Sequence, residues 1–330
     1  MRLVLSQPKD SQESKFWGKG CPREGSQEGN MIVITGASGN TGSATADKLL
    51  AHGEKVRVVG RDAKRLERFR QKGAEAFVAD MSDSARLAQA FSGAKAVYAM
   101  IPPNNTAADV RSYQEQASDA LATAIKKCGV THVVALSSIG ADKSDKVGPV
   151  VGLHNMEKKF EAIAGLSALF LRAGYFMENM LSQVGVIQSM GIIAGPLRPD
   201  LPLAMIATRD IGAAAADALL KLDFAGKQPR ELLGARDVTY LEAAKIIGAA
   251  IGKPDLSYKQ FSSGQLKPVL TQMGMSPDMA DLLLEMSDSL NSGYMKPQEA
   301  RSPRNTTPTT IETFVAEVFV PAYRGKAARA

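Results

Sequence analysis

The sequence predicts an α/β fold: a doubly wound parallel sheet followed by a smaller mixed cap. Three observations predict it. From Met31 onward, short β-branched runs alternate with longer helical patterns, the rhythm of parallel βαβ units. The intervening segments have crossover length, and several end in glycine, as helix C-termini do. The chain has 330 residues, 45% apolar and 22% charged, which is enough to bury one large core or two smaller ones.

The elements follow in order. Residues 32–35 form the first strand, a run of Ile, Val, Ile and Thr. A helix over 40–52 opens behind Gly39 and closes at Gly53. The second strand spans 55–59, and Asp62 stands where a cap would begin a helix over 63–72. A third strand at 76–79 leads through Asp83 into a helix over 84–91. The fourth strand spans 96–100, and a long helix runs 109–129 from Asp109 to Gly129. The fifth and sixth strands lie at 132–137 and 168–173, joined by a helix over 153–164. Six strands and five helices make the sheet. After Gly174 the rhythm becomes irregular, with helices at 210–220, 239–251, 276–291 and 309–318 and a strand at 255–260. These pieces look too short to bury a large core alone, so they are expected as a cap at the C-terminal edge of the sheet, where open α/β sheets take ligands. The organisation is therefore a disordered extension over 1–30, a sheet domain over 31–174, and a substrate-binding cap over 175–330 with elements packing back on the sheet. Residues 1–30 carry Ser, Gln, Gly, Lys and Glu without a hydrophobic period and lack the apolar core of a secretory signal.

Composition excludes several classes. Cys21 and Cys128 lie far apart, so no disulfide framework is expected and a reducing, cytoplasmic compartment is the simpler assumption. His52, His132 and His154 are dispersed without zinc-ligand spacing, so no metal is expected. The longest apolar stretch, 162–181, is broken by Arg172, Glu178 and Asn179, which excludes a membrane span. The net charge of +6 owes much to Arg324, Lys326 and Arg329, and no basic run interleaved with aromatics marks a nucleic-acid surface.

The first strand runs into Thr-Gly-Ala-Ser-Gly-Asn-Thr-Gly, which sets Gly36, Gly39 and Gly42 between a buried strand and a helix. The first glycine allows a tight turn, the second lets backbone approach a pyrophosphate, and the third packs helix on strand; the helix N-terminus then faces the phosphates. This is a Rossmann-type dinucleotide loop, with Ser38, Asn40 and Thr41 as its other contacts. No Gly-Lys-Ser/Thr ending makes it a nucleoside triphosphate loop, and no GxSxG elbow is present. At the end of the second strand stands Arg61 rather than a carboxylate. An arginine there suits the 2′-phosphate of NADP, with NAD possible; the alternative is a solvated charge beside Asp62. Asp80 and Met81, after the third strand, are placed to meet the adenine, Asp80 otherwise being a helix-start charge.

Four segments together resemble the NmrA-like group of atypical short-chain dehydrogenases: the glycine loop, residues 56–62, Leu-Ser-Ser-Ile-Gly ending at Gly140, and Leu-Arg-Ala-Gly-Tyr-Phe-Met-Glu-Asn ending at Asn179. The resemblance runs from Met31 to about Tyr323 and is nearest to NAD(P)H-dependent quinone oxidoreductases and triphenylmethane-dye reductases. It implies a nicotinamide site along Met100, Ile101, Pro102 and Pro103, at Ser137 and Ser138, and at Gly174, Tyr175 and Phe176. Pro103, Tyr175, Phe176 and Met180 would meet the substrate; the plainer reading of Tyr175, Phe176 and Met180 is packing between sheet and cap. Ala173 replaces the family's usual proline.

Main-line short-chain dehydrogenases use a tyrosine with a lysine four residues later to protonate an alkoxide. None of the seven tyrosines has that partner; instead His154 and Lys158 share the spacing and one helix face. His154 is a substitute acid, a ligand contact or a helix-start residue, and Lys158 a cofactor contact or a surface charge. Quinones and cationic dyes delocalise or neutralise an incoming hydride, so a site lacking a strong proton donor suits them. The expected activity is NADPH-dependent reduction of a quinone-like aromatic acceptor; the alternative is a non-catalytic redox sensor of the NmrA regulator type.

Overall fold

The computed structural model describes residues 30–325. The expected disordered extension therefore lies, Asn30 apart, outside the described residues. The first half runs β1 (Met31–Thr35), α1 (Asn40–Ala51), β2 (Val56–Gly60), α2 (Ala63–Arg70), β3 (Glu75–Val78), α3 (Ser84–Ala90), β4 (Ala94–Ala99), α4 (Val110–Cys128), β5 (His132–Ser138), α5 (Val150–Glu161) and β6 (Ser167–Ala173). Each predicted strand and helix of this half is present, most within two residues of its expected ends. The exception is α5, which begins at Val150 rather than at residue 153. Gly152 hides that start: a Cβ there would sit 2.3 Å from Gln114 Oε1, so the glycine serves the close approach of α4 and does not break the helix. His154 is consequently a fifth helical residue and not a helix-start residue.

The second half continues β7 (Tyr175–Phe176), α6 (Gln183–Met190), β8 (Ile192–Gly195), β9 (Leu203–Ile206), α7 (Thr208–Lys221), β10 (Lys227–Leu232), β11 (Asp237–Val238), α8 (Tyr240–Ile251), β12 (Ser257–Gln260), α9 (Ser263–Gln272), α10 (Pro277–Asn291), α11 (Ile311–Phe314) and α12 (Val320–Tyr323). The central sheet is a seven-stranded Rossmann-type sheet in the order β10-β6-β5-β4-β1-β2-β3, every pair parallel. Its seventh strand was not expected from sequence. Lys227–Leu232 is Lys-Gln-Pro-Arg-Glu-Leu, without alternation and with a proline, which an edge strand tolerates because one side of its backbone has no partner.

Side chains alternate across the sheet. Ile32, Ile34, Tyr98, Val134, Leu136, Leu169 and Leu171 face α1, α2 and α7, while Val33, Val97, Val133, Ala135 and Phe170 face α3, α4 and α5. Each Ile, Leu or Phe so enclosed contributes about 1.5–3 kcal/mol. The later elements bury more than expected. Met177, Ile187, Ile193, Met205, Tyr240, Ile247, Leu256, Phe314 and Phe319 join Ile139, Val147 and Val150 in a third extensive core. The irregular pieces thus do enclose a sizeable core, because they share it with the segments that leave β5.

Buried acceptors tie the late segments down. Glu178 accepts from Thr208 N at 3.0 and 3.1 Å and from Thr208 Oγ1 at 2.6 Å, capping α7 from a distance in sequence. Asp210 holds Thr309 through its N–H and hydroxyl, and Asn305 Oδ1 accepts from Ser302 N at 2.7 Å. Because Glu178 is a carboxylate cap on two donors, Glu178→Ala is expected to lower unfolding free energy by about 1–2 kcal/mol. Urea unfolding followed by circular dichroism measures it, and a change near zero would show α7 needs no cap. Among the described residues no helix is long and apolar enough to cross a membrane.

Candidate active site

The strand order reverses between β1 and β4, and this switch point opens the crevice. Gly36 leaves β1 with φ +63°, a conformation that favours glycine. Its carbonyl accepts from Gly39 N at 2.9 Å, and Ala37 N donates to Val59 O at 3.2 Å, so the loop is fixed to itself and to β2. A Cβ on Gly42 would lie 2.5 Å from Gly36 O and 2.8 Å from its carbonyl carbon; only glycine lets α1 approach the turn this closely. Ser38 is half-buried, whereas Gly39 and Asn40 are exposed.

The start of α1 differs from those of its neighbours. Asp62, Asp83 and Asp109 cap α2, α3 and α4 with their carboxylates, but Gly39 gives α1 no side-chain cap; none of the four helices has an acid in its first turn. The first N–H groups of Asn40, Thr41 and Gly42 have no intrahelical partner, and the positive dipole end is uncompensated. Together with the glycine turn this is geometry that suits an anion.

At the β2 end, Arg61 is exposed and forms no hydrogen bond or ion pair among the described residues. Asp62 is otherwise engaged, its Oδ1 accepting from Lys64 N at 2.8 Å. A second guanidinium stands beside the loop: Arg65 Nη2 donates to Ser38 O at 2.8 Å. Asp80 Oδ1 accepts from Ser82 Oγ at 2.6 Å and Ser82 N at 2.9 Å. Those bonds, opposed by partial burial and helped by the charge of Arg61, hold its carboxyl below the usual carboxylate range. Met81 is buried in the core on the α3–α4 side.

Across the crevice, Thr35 Oγ1 donates to Tyr98 O at 2.9 Å and accepts from Met100 N at 3.1 Å, fixing the ends of β1 and β4 together. The Met100 thioether covers Gly36. Ile101 is buried, Pro102 half-buried and Pro103 exposed. Alternation sends Tyr175 and Phe176 to different sides. Phe176 packs with Met100 against the α1–α7 core, and Tyr175 packs into the cap, its hydroxyl 2.9 Å from that of Tyr240. Burial raises both phenols above their ordinary pKa. Met180 is a core residue of the cap, packed with Met177 and Ile187.

Ser138 is half-buried at the end of β5, while Ser137 points to the opposite side and is enclosed. Its Oγ donates to Glu157 Oε1 at 2.6 Å. Arg172 grips the same carboxylate, Nε to Oε1 at 3.1 Å and Nη2 to Oε2 at 2.6 Å. His154, one turn earlier on α5, donates from Nδ1 to Ala141 O at 2.8 Å. Lys158 does not join it: its ammonium lies 2.9 Å from Glu161 with the side chain 61% exposed. A separate cavity of about 630 Å³ is lined by Lys146, Lys267, Leu284 and Tyr294 among others, none of them in the glycine loop or among Ile139–Ala141 and Gly174–Phe176. Among the described residues no group of three or more His, Cys, Asp and Glu side chains could hold a metal.

The NmrA-like family profile matches residues 28–315. The chain belongs to the NmrA-like family. Among curated relatives, this NmrA-like chain is 29% identical over 258 residues to the NAD(P)H azoreductase of Xenophilus azovorans, covering 78% of this chain and 86% of that one. Among solved structures, the NADPH-dependent quinone oxidoreductase of Escherichia coli in complex with NADPH superposes with a TM-score of 0.68 at 21% identity, covering 88% of this chain and all of that one. The Citrobacter triphenylmethane reductase complexed with NADP(H) gives 0.71 at 18%, over 86% and 98%. At these identities the two structures show the fold.

Three residues at this site of the NmrA-like chain were not singled out by sequence reasoning: Arg65, Glu157 and Arg172. Arg172 left a trace, a charge inside an apolar run that ends a strand. Glu157 left none, since an acid beside two lysines on a helix reads as a solvated face.

Proposed function

We propose that this NmrA-like chain is an NADPH-dependent reductase that delivers hydride to a quinone or a similar aromatic acceptor. The observation that carries the reading is the uncapped start of α1 behind a glycine turn, flanked by the unpaired Arg61. That cradle fits a dinucleotide, and the curated azoreductase relative and the reductases sharing the fold support redox use of it. Gly36, Ser38, Gly39, Asn40, Thr41 and Gly42 would hold the pyrophosphate, Arg61 the 2′-phosphate and Asp80 the adenine end, with NAD a weaker ligand. Met100, Ile101, Pro102, Ser138 and the turn Gly174–Phe176 would border the nicotinamide, and Pro103, Tyr175 and Phe176 the acceptor, while Ser137 and Met180, both buried, pack behind them. Bound there, a reduced nicotinamide supplies hydride.

The chain's own contribution is mainly position. Holding donor and acceptor in contact removes most of the entropic part of such a barrier. His154 already donates Nδ1–H to Ala141 O, which leaves only Nε2 of the ring for a ligand. Solvent then protonates the reduced acceptor, which suits a quinone and not a simple ketone. His154→Gln is accordingly expected to lower quinone turnover by less than about tenfold, against 100-fold or more for removal of a general acid. A several-thousand-fold loss with unchanged cofactor affinity would make His154 the acid.

The deciding experiment is anaerobic NADPH oxidation with a panel of quinones, beside equilibrium titrations of NADPH and NADP. Quinone-dependent oxidation is expected. Tight binding that separates the two cofactor states without turnover would favour the redox sensor, and equal binding without turnover would remove both readings.

A further inference from the structure

Register places Ser137, Arg172 and Glu231 side by side on adjacent strands β5, β6 and β10, one residue before each strand ends. All three side chains point to the α5 side, and there Glu157 bonds both Ser137 and Arg172. Glu157 and Ser137 are 2% exposed and Glu231 is 3% exposed. Glu231 accepts from Gln298 N at 2.8 and 3.0 Å and from Glu299 N at 2.8 Å, so the row also ties the segment after α10 to the sheet edge. The charges of Glu157, Asp142 and Glu231 all favour the guanidinium of Arg172 against its burial.

Stability alone does not account for such a row, because a well-packed apolar pair is often as stable as a buried ion pair. Its place does. Ile139–Ala141 and Gly174–Phe176 leave the sheet two residues after Ser137 and Arg172, and His154 stands one turn before Glu157 on α5, bonded to Ala141 O. An apolar contact would allow α5 to slide against the sheet; a forked guanidinium on a carboxylate that also takes a serine hydroxyl allows one register.

We propose that Glu157 and Arg172 are the positioning residues of the acceptor site: together they set α5 against β5 and β6 and thereby fix the His154 ring with Nδ1 on Ala141 O. The turnover consequence rests on the reductase reading; the ring geometry does not. Hydride transfer is sensitive to placement, and a misplacement of about 1 Å costs up to 100-fold.

The test uses the full chain and the double variant Glu157→Leu/Arg172→Met, which removes the pair without stranding either charge. Long-range proton–nitrogen correlation of ¹⁵N-histidine protein reads the His154 tautomer, with His154→Gln providing the assignment. Wild type is expected to show a single Nδ1–H form. The double variant is expected to melt near the wild-type temperature, bind NADPH within about twofold and show mixed tautomers. Its kcat with menadione is expected to fall no further than that of His154→Gln, by less than about tenfold, at nearly constant KM. Arg172→Lys, which keeps charge but loses the fork, is expected to lie between the two and serves alone should the double variant not fold. Retention of the single Nδ1–H form by the double variant, or by Arg172→Lys if that variant serves alone, would overturn the proposal. A wild-type protein inert toward quinones would remove the reductase reading and leave the tautomer comparison to decide.

Discussion

Gly42→Val is expected to abolish NADPH binding, raising the dissociation constant at least about 100-fold, or 2.7 kcal/mol. A Cβ at this position meets three backbone atoms: Gly36 O at 2.5 Å, Gly36 C at 2.8 Å and Ala37 Cα at 3.1 Å. None of them can rotate away as a side chain end could. The turn must therefore move, and with it the carbonyl that accepts from Gly39 N and the N–H of Ala37 that holds the loop to Val59 O. Displacing that turn moves the first amides of α1 off the pyrophosphate, and a branched side chain adds further bulk beside Thr41. The measurement is titration of NADPH by quenching of intrinsic fluorescence, with circular dichroism to show that the sheet has formed. Wild-type affinity in a folded Gly42→Val protein would mean that the loop is not the phosphate site.

The same contacts show what was legible in sequence. Hydrophobic rhythm and glycine spacing are local properties, so the strands from Met31 to Ala173, the α4 ends at Asp109 and Gly129, and the phosphate turn could all be read directly. What a strand's neighbour contributes is not local. The row Ser137–Arg172–Glu231 exists only because β5, β6 and β10 lie adjacent in register, and β10 itself carries Pro229 and three charged residues that mask it. Gly152 misled in the other direction, since its cause is Gln114 on another helix. Arg65 faces Ser38 only once α2 has folded back beside the loop. The glycine turn was therefore visible in sequence, while the contacts among Ser137, Glu157 and Arg172 depend on tertiary pairing.

Arg61→Ala is expected to erase most of a tenfold to 100-fold preference for NADPH over NADH while leaving NADH affinity nearly unchanged. The preference itself follows from the end of β2. Arg61 is exposed and without a hydrogen bond or ion pair among the described residues, so a 2′-phosphate need not displace an existing partner. Two charge-assisted bonds of a guanidinium to a phosphate are worth about 1.5–3 kcal/mol, which converts to that range. The nearest rivals for the ribose are already engaged: Asp62 caps α2 through Lys64 N, and Asp80 holds Ser82. Those bonds take one oxygen of each carboxylate away from the ribose hydroxyls that NAD would offer, while the charge of Asp80 still acts on Arg61. Arg65, bonded to Ser38 O at 2.8 Å, supplies a second positive charge at the same end, so Arg61→Ala should leave a residual preference of a few-fold that the double variant Arg61→Ala/Arg65→Ala removes. Because both guanidinium groups lie near the surface, the preference should also shrink as ionic strength rises. Paired titrations of the two cofactors at low and high salt measure all of this, and equal dissociation constants in the wild-type protein would return Arg61 to a solvated charge at the start of α2.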